Sequence, residues 1–156
     1  MKKVSLLLIV FAMLFLATSC GASSDCGVFT DPVIESLGEY DNYEYYSEDG
    51  IDILSFGRYY FSSVNLNGNK YFSIVSEDDI ETINAFIDNF ESWIDTSKEN
   101  SSRSKLEKNY SFDRSMIDTE DYFYIYSYES EHKFREYRVY FFYTQTNILY
   151  EYHVTV

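Results

Sequence analysis

The sequence predicts an α+β domain, an antiparallel β-meander with one main amphipathic helix (about 76–95) packed on one of its faces. Three observations predict it. Apolar residues recur at helical spacing between positions 80 and 94, three later runs (122 to 128, 136 to 144 and 147 to 154) are rich in Tyr, Phe, Val and Ile, and alternate residues of those runs form an apolar face able to receive the helix.

The chain opens on Met1-Lys2-Lys3, continues apolar from Val4 to Ala17, and leaves through Thr18-Ser19-Cys20-Gly21. A basic head, a short apolar middle and a small-residue exit predict a signal peptide over 1–19, too short for a transmembrane helix. Leu16-Ala17-Thr18-Ser19-Cys20 resembles a lipobox closely. That resemblance implies that Cys20 becomes the lipidated first residue of the mature protein and that the membrane is a partner through this lipid, placing the domain on the extracytoplasmic face of the cell membrane; two or three acyl chains anchor stably where one does not. Residues 20–27 read as a lipidated N-terminus and tether, and 28–156 as one acidic, Tyr-rich domain of ordinary single-domain size. Cys26 is then the one other cysteine, so the mature domain forms no intrachain disulfide.

The whole chain has 12 basic and 26 acidic side chains, a net charge of −14, and loss of Lys2 and Lys3 takes the mature part to −16. Such a surface argues against nucleic acid and anionic lipid headgroups as partners, and keeps a chain with 17 tyrosines in solution. Neither Glu48-Asp49-Gly50 nor Glu77-Asp78-Asp79 has the alternating acids of a calcium loop, so no metal site is expected.

Residues 39 to 50 interleave acids with tyrosines without a clean period and read as a surface segment. Ile53, Phe56, Tyr60 and Val64 recur at helical spacing, which tips 53 to 64 towards a helix although Tyr59-Tyr60-Phe61 suits a strand equally. Asn67-Gly68 marks a turn and 70 to 74 a short extended piece. Ser76 then offers its hydroxyl as an N-cap, with Glu77, Asp78 and Asp79 where the helix dipole favours negative charge, and Ile80, Ile83, Ile87, Phe90 and Ile94 form one stripe widened by Phe86 and Trp93. Thr96 to Lys105 is a polar loop. With Gln145-Thr146 as a turn, Tyr143 faces Ile148, Phe141 faces Tyr150, Val139 faces Tyr152 and Tyr137 faces Val154, and the same face takes Phe123 and Ile125. A helix followed by an antiparallel sheet is similar in element order to cystatin-like and NTF2-like architectures.

The opposite face of the sheet carries Tyr122, Tyr124, Tyr126 and Tyr128, with Arg138, Tyr140 and Phe142 beside them and then Glu151 and His153. Planar rings next to a guanidinium and a carboxylate suit stacking on a sugar or clasping a peptide, so Tyr122, Tyr124, Tyr126, Arg138, Tyr140, Glu151 and His153 are the candidate ligand-binding residues. The chain offers only His132 and His153 as imidazole bases. His132 lies in a polar connection, and His153 shares a strand face with Glu151. No nucleophile elbow, HExxH, CxxC, dinucleotide or phosphate-loop motif is present, so neither a cofactor nor a catalytic residue is assigned.

Asp79-Ile80-Glu81, the stretch Ile87-Asp88-Asn89-Phe90-Glu91-Ser92-Trp93-Ile94, Asp121-Tyr122-Phe123-Tyr124-Ile125, and Tyr140-Phe141-Phe142-Tyr143-Thr144-Gln145-Thr146 followed by Leu149-Tyr150 resemble a group of uncharacterised lipoproteins of low-GC Gram-positive bacteria. The resemblance covers most of the mature domain, supports the envelope location and lends no catalytic residue. The leading expectation is a lipid-anchored, non-catalytic binding module for an envelope protein, peptide or glycan. The alternatives are a small hydrolase using His153 and Glu151, and an acidic inhibitor or immunity lipoprotein against a cationic partner.

Overall fold

The computed structural model describes residues 31–48, 53–97, 105–127 and 135–156. The expectations for the signal peptide, Cys20, the tether with Cys26, Tyr128 and His132 lie outside these residues. Six strands form one antiparallel sheet in the order β1-β2-β6-β5-β4-β3: β1 Asn42–Glu48, β2 Ile53–Tyr60, β3 Ser73–Ile74, β4 Tyr122–Ser127, β5 Glu136–Tyr143 and β6 Ile148–Thr155. Helix α1 is Pro32–Glu35, the main helix α2 is Glu77–Ser97, α3 is Lys105–Asn109, and a 3-10 turn spans Arg114–Met116. This is the α+β architecture that the sequence predicts.

The β5–β6 hairpin has the predicted register, with Tyr137 opposite Val154, Val139 opposite Tyr152, Phe141 opposite Tyr150 and Tyr143 opposite Ile148. Its connection includes Asn147 at φ 55°, a left-handed conformation that asparagine tolerates better than most residues. Asp121, 1 % exposed, braces that turn by accepting the Thr144 N–H at 2.9 Å and its hydroxyl at 3.0 Å.

Along α2 the stripe Ile83, Phe86, Ile87, Phe90 and Ile94 is buried against Leu54, Phe56, Tyr137, Val139, Phe141, Tyr150, Tyr152 and Val154. The Tyr137 hydroxyl crosses the interface and donates to the Phe86 carbonyl at 2.9 Å. At the helix start the Asp79 carboxylate accepts the Ser76 N–H at 2.9 Å and the Ser76 hydroxyl as well. These bonds are the acidic half of a capping box and hold the Asp79 carboxyl below its ordinary range; Ser76 donates its hydroxyl to Asp79 rather than offering it to the amides of the first turn.

Three segments differ from the sequence reading or add to it. Residues 53 to 60 form a central strand, β2, and not a helix. The apolar spacing that suggested a helix arises because β2 is covered on both faces, which removes the polar alternation of a half-exposed strand, and Gly57 would weaken a helix interior by about 1 kcal/mol relative to alanine. Residues 42 to 48, part of the segment 39 to 50 read as surface with no element assigned, pair with β2 along their whole length as an edge strand. Lys105–Asn109, at the end of the expected polar loop, is a short helix whose Leu106 is fully buried.

The sheet is covered on its far side too. Val33, Ile34 and Leu37, with Phe61, Leu66 and Phe72, form a second apolar cluster on Tyr59, Tyr140, Phe142 and Leu149. Part of the expected aromatic binding face is therefore core: Tyr140 and Phe142 are each 2 % exposed.

Candidate binding face

Strand register and alternation place the candidate residues in rows across the far face. One row runs Tyr43, Tyr59, Leu149, Phe142, Tyr122, the next Tyr45, Gly57, Glu151, Tyr140, Tyr124, and the third Ser47, Ser55, His153, Arg138, Tyr126. All seven sequence-nominated residues thus share one face, with Arg138 directly across from His153 and Tyr140 across from Glu151. The cover formed by α1 and residues 61 to 72 lies over the first row, reaches Tyr140 and Tyr124 of the second, and leaves two aromatic margins. Tyr126, 47 % exposed, marks the margin on β4, and Tyr43, 55 % exposed, marks the one on β1.

The polar centre is Glu151, which is buried in the second row. Its Oε2 accepts the Tyr59 hydroxyl at 3.0 Å and its Oε1 lies 3.8 Å from the Arg138 guanidinium. Arg138 also donates to the Tyr140 hydroxyl at 3.4 Å. A buried carboxylate is tolerated only when donors and an opposite charge compensate its lost hydration, and Tyr59 and Arg138 supply both. Tyr124 stacks on Tyr140 with centroids 6.0 Å apart and planes 27° off parallel, and meets Tyr71 of the covering segment at 5.4 Å. His153 Nε2 lies 3.1 Å from the Thr155 hydroxyl.

Tyr59 and Gly57 belong to this centre and escaped the sequence reading, because a helix over 53 to 64 puts neither on the sheet. Gly57 sits opposite Glu151, where a Cβ would come within 2.8 Å of the Tyr59 ring and 3.3 Å of Glu151 Oε2. The one signal available was a lone glycine in an aromatic run, which marks close approach of another group.

Burial, and then the neighbouring Glu151 charge and hydrogen bond, push the Tyr59 hydroxyl far above the ordinary tyrosine range. Burial does the same to Tyr110, Tyr137 and Tyr152. A folded-state value raised above the unfolded one stabilises the fold fully below the unfolded value, near pH 10, and loses that contribution as pH rises beyond it. Alkaline titration followed at 295 nm is therefore expected to show a late absorbance step that coincides with loss of circular dichroism. Completion of all phenolate formation while the fold persists would contradict the burial of these four rings.

The solvent side of α2 presents Asp88, Glu91 and Asp95 around an open depression, and the Arg114 guanidinium bridges Asp88 and Glu91. Among the described residues no group of three or more His, Cys, Asp or Glu is placed to hold a metal ion, and no helix is long and apolar enough to cross a membrane. The chain matches no protein-family model, no curated protein and no solved structure in comparisons with each.

Proposed function

We propose that the protein is a lipid-anchored, extracytoplasmic binding domain for a ligand of the cell envelope, and that a glycan is the ligand class its β4 margin suits best. The observation that carries this reading is the arrangement of Tyr124 stacked on Tyr140, with Tyr126 outward in the next row and Arg138 and Glu151 beside them. A ring held by a second ring offers a flat apolar face without further ordering, and the partly exposed Arg138 guanidinium, held by the buried Glu151, can donate to neighbouring sugar hydroxyls. The anchor rests on the Met1–Gly21 pattern and its lipobox-like Leu16–Cys20.

The two halves of the reading are tested separately. In cells, Cys20→Ala is expected to move the protein out of the membrane fraction and to abolish incorporation of a palmitate analogue; membrane association that survives with no label lost removes the lipid anchor. For the ligand, chitotetraose serves as the probe. Tyr124→Ala and Tyr126→Ala are each expected to weaken its binding by up to about tenfold, while His153→Ala leaves it unchanged. Cleavage of chitotetraose by the wild type that is lost in His153→Ala, with no loss of binding in the tyrosine variants, would replace this reading by the hydrolase built on His153 and Glu151.

A further inference from the structure

The β1 margin is a second aromatic surface, and its chemistry differs from that of the β4 margin. We infer that Tyr40 and Tyr43 form a docking surface for a cationic segment of a partner protein, with an arginine or lysine side chain seated on the Tyr43 ring. Four strand spacings, about 19 Å along the sheet, separate this surface from Tyr124 and Tyr126, and it stands independently of the glycan reading.

Geometry supplies the first argument. Tyr40 is 40 % and Tyr43 55 % exposed, yet neither ring is loose. Tyr43 lies 13° from parallel with buried Tyr59 at a centroid distance of 6.1 Å, and Tyr40 meets both rings edge-on at 5.4 Å. Tyr40 also abuts Phe61. A large exposed ring already fixed against a core ring binds a partner with little further loss of rotamer freedom, the property that makes rigid tyrosines effective anchors. These rings belong to an edge strand and the turn into it, an open margin that a macromolecule reaches more readily than a cleft-seeking small molecule does.

Charge identifies the partner. Residues 39 to 48 contain Glu39, Asp41, Glu44 and Glu48 and no basic residue. Glu44 and Glu48 alternate onto the opposite, α2 side of β1, where Glu44 pairs with Arg58 at 2.8 Å, so the acids beside the rings are Glu39 and the exposed Asp41, which accepts the Ser62 hydroxyl at 2.7 Å. An aromatic face edged by carboxylates attracts a cation both through the ring quadrupole and through charge. The fold uses the same contact twice internally, with Lys70 Nζ 4.7 Å from the Tyr71 centroid and Arg58 Cζ 5.1 Å from that of Phe56. A second copy of this chain is disfavoured, because it would bring one acidic segment against another on chains of net charge −14 each. A neutral glycan would use the rings and leave the carboxylates without a role.

The test uses the full chain in dodecyl maltoside micelles with ring-¹³C tyrosine, titrated with a ten-residue peptide alternating arginine and serine and with the same peptide carrying citrulline for arginine. The arginine peptide is expected to shift the Tyr40 and Tyr43 ring signals, and the citrulline peptide to leave them in place. Tyr43→Ala should weaken the arginine peptide about fivefold, Tyr43→Phe should retain the affinity because the ring is kept, and Tyr126→Ala should have no effect. The pair Glu39→Gln with Asp41→Asn should weaken binding without touching a ring. Three results would each overturn the inference: Tyr43→Ala binding as tightly as the wild type, the citrulline peptide binding as well as the arginine one, or shifts confined to Tyr124 and Tyr126.

Discussion

Phe90→Ala is expected to lower the stability of the domain by about 3–5 kcal/mol, and its melting temperature by roughly 10–20 °C. Phe90 is fully buried at the middle of the α2 stripe. Its ring meets Tyr152 edge-on at 5.3 Å and Tyr110 at 5.5 Å, while Tyr152 in turn contacts Phe56 at 5.3 Å and Phe112 at 5.7 Å. Rings locked to one another in this way cannot flow into the space that a lost phenyl leaves, so both the transfer free energy and the cavity contribute. The Tyr110 hydroxyl is tied to Glu91 at 2.7 Å, which also restrains it from collapsing inwards. Phe90→Leu keeps most of the volume and should cost less than half as much. Thermal and urea melts of the two variants measure this, and a loss below about 1 kcal/mol for Phe90→Ala would mean that α2 does not seat its stripe on the sheet.

What could be read from the sequence follows from how local the signals were. The α2 stripe and the β5–β6 register are local patterns. One needs only the three-and-four spacing from Ile80 to Ile94, the other only two alternating runs and a short polar turn. That register carried Arg138, His153, Glu151 and Tyr140 onto one face correctly. The strands β1 and β2 were missed because β2 is paired between β1 and the distant β6, and because its burial on both faces erases the alternation that marks a strand. The burial of Tyr140 and Phe142 was missed for a related reason. Their cover comes from residues 33 to 37 and 61 to 72, segments with no period of their own, whose apolar residues declare a target only once the sheet exists. The β1 margin was hidden by the same error, since Tyr43 becomes a fixed platform only when Tyr59 is known to lie behind it.

Gly57→Ala is expected to destabilise the domain by about 1–2.5 kcal/mol, although the change adds one methyl group and removes a flexible residue from a strand. The gain from a stiffer unfolded chain is about 0.4–1 kcal/mol. Against it stands a Cβ placed 2.8 Å from Tyr59 Cε2 and 3.3 Å from both the Tyr59 hydroxyl and Glu151 Oε2. Overpacking of this kind costs roughly 1–3 kcal/mol when the neighbour cannot give way, and Tyr59 is held by Tyr40 and Tyr43 on its outer side. If the ring swings instead and relieves the overlap, Glu151 loses the hydroxyl it accepts at 3.0 Å, and a buried acceptor without its donor costs a similar amount, about 1–3 kcal/mol. The substitution also distinguishes this cause from a general dislike of alanine in the strand. Tyr59→Leu removes the ring that the methyl meets, so the double variant Gly57→Ala with Tyr59→Leu should be less destabilised than the sum of the two singles, a coupling read from a double-mutant cycle in urea. Strict additivity, or a Gly57→Ala protein as stable as the wild type, would show that Tyr59 does not lean across Gly57 to reach Glu151. The same displacement of Tyr59 would loosen the Tyr43 ring stacked on it, so the arginine-peptide titration of Gly57→Ala should weaken in parallel, linking the buried polar centre to the exposed β1 margin through one side chain.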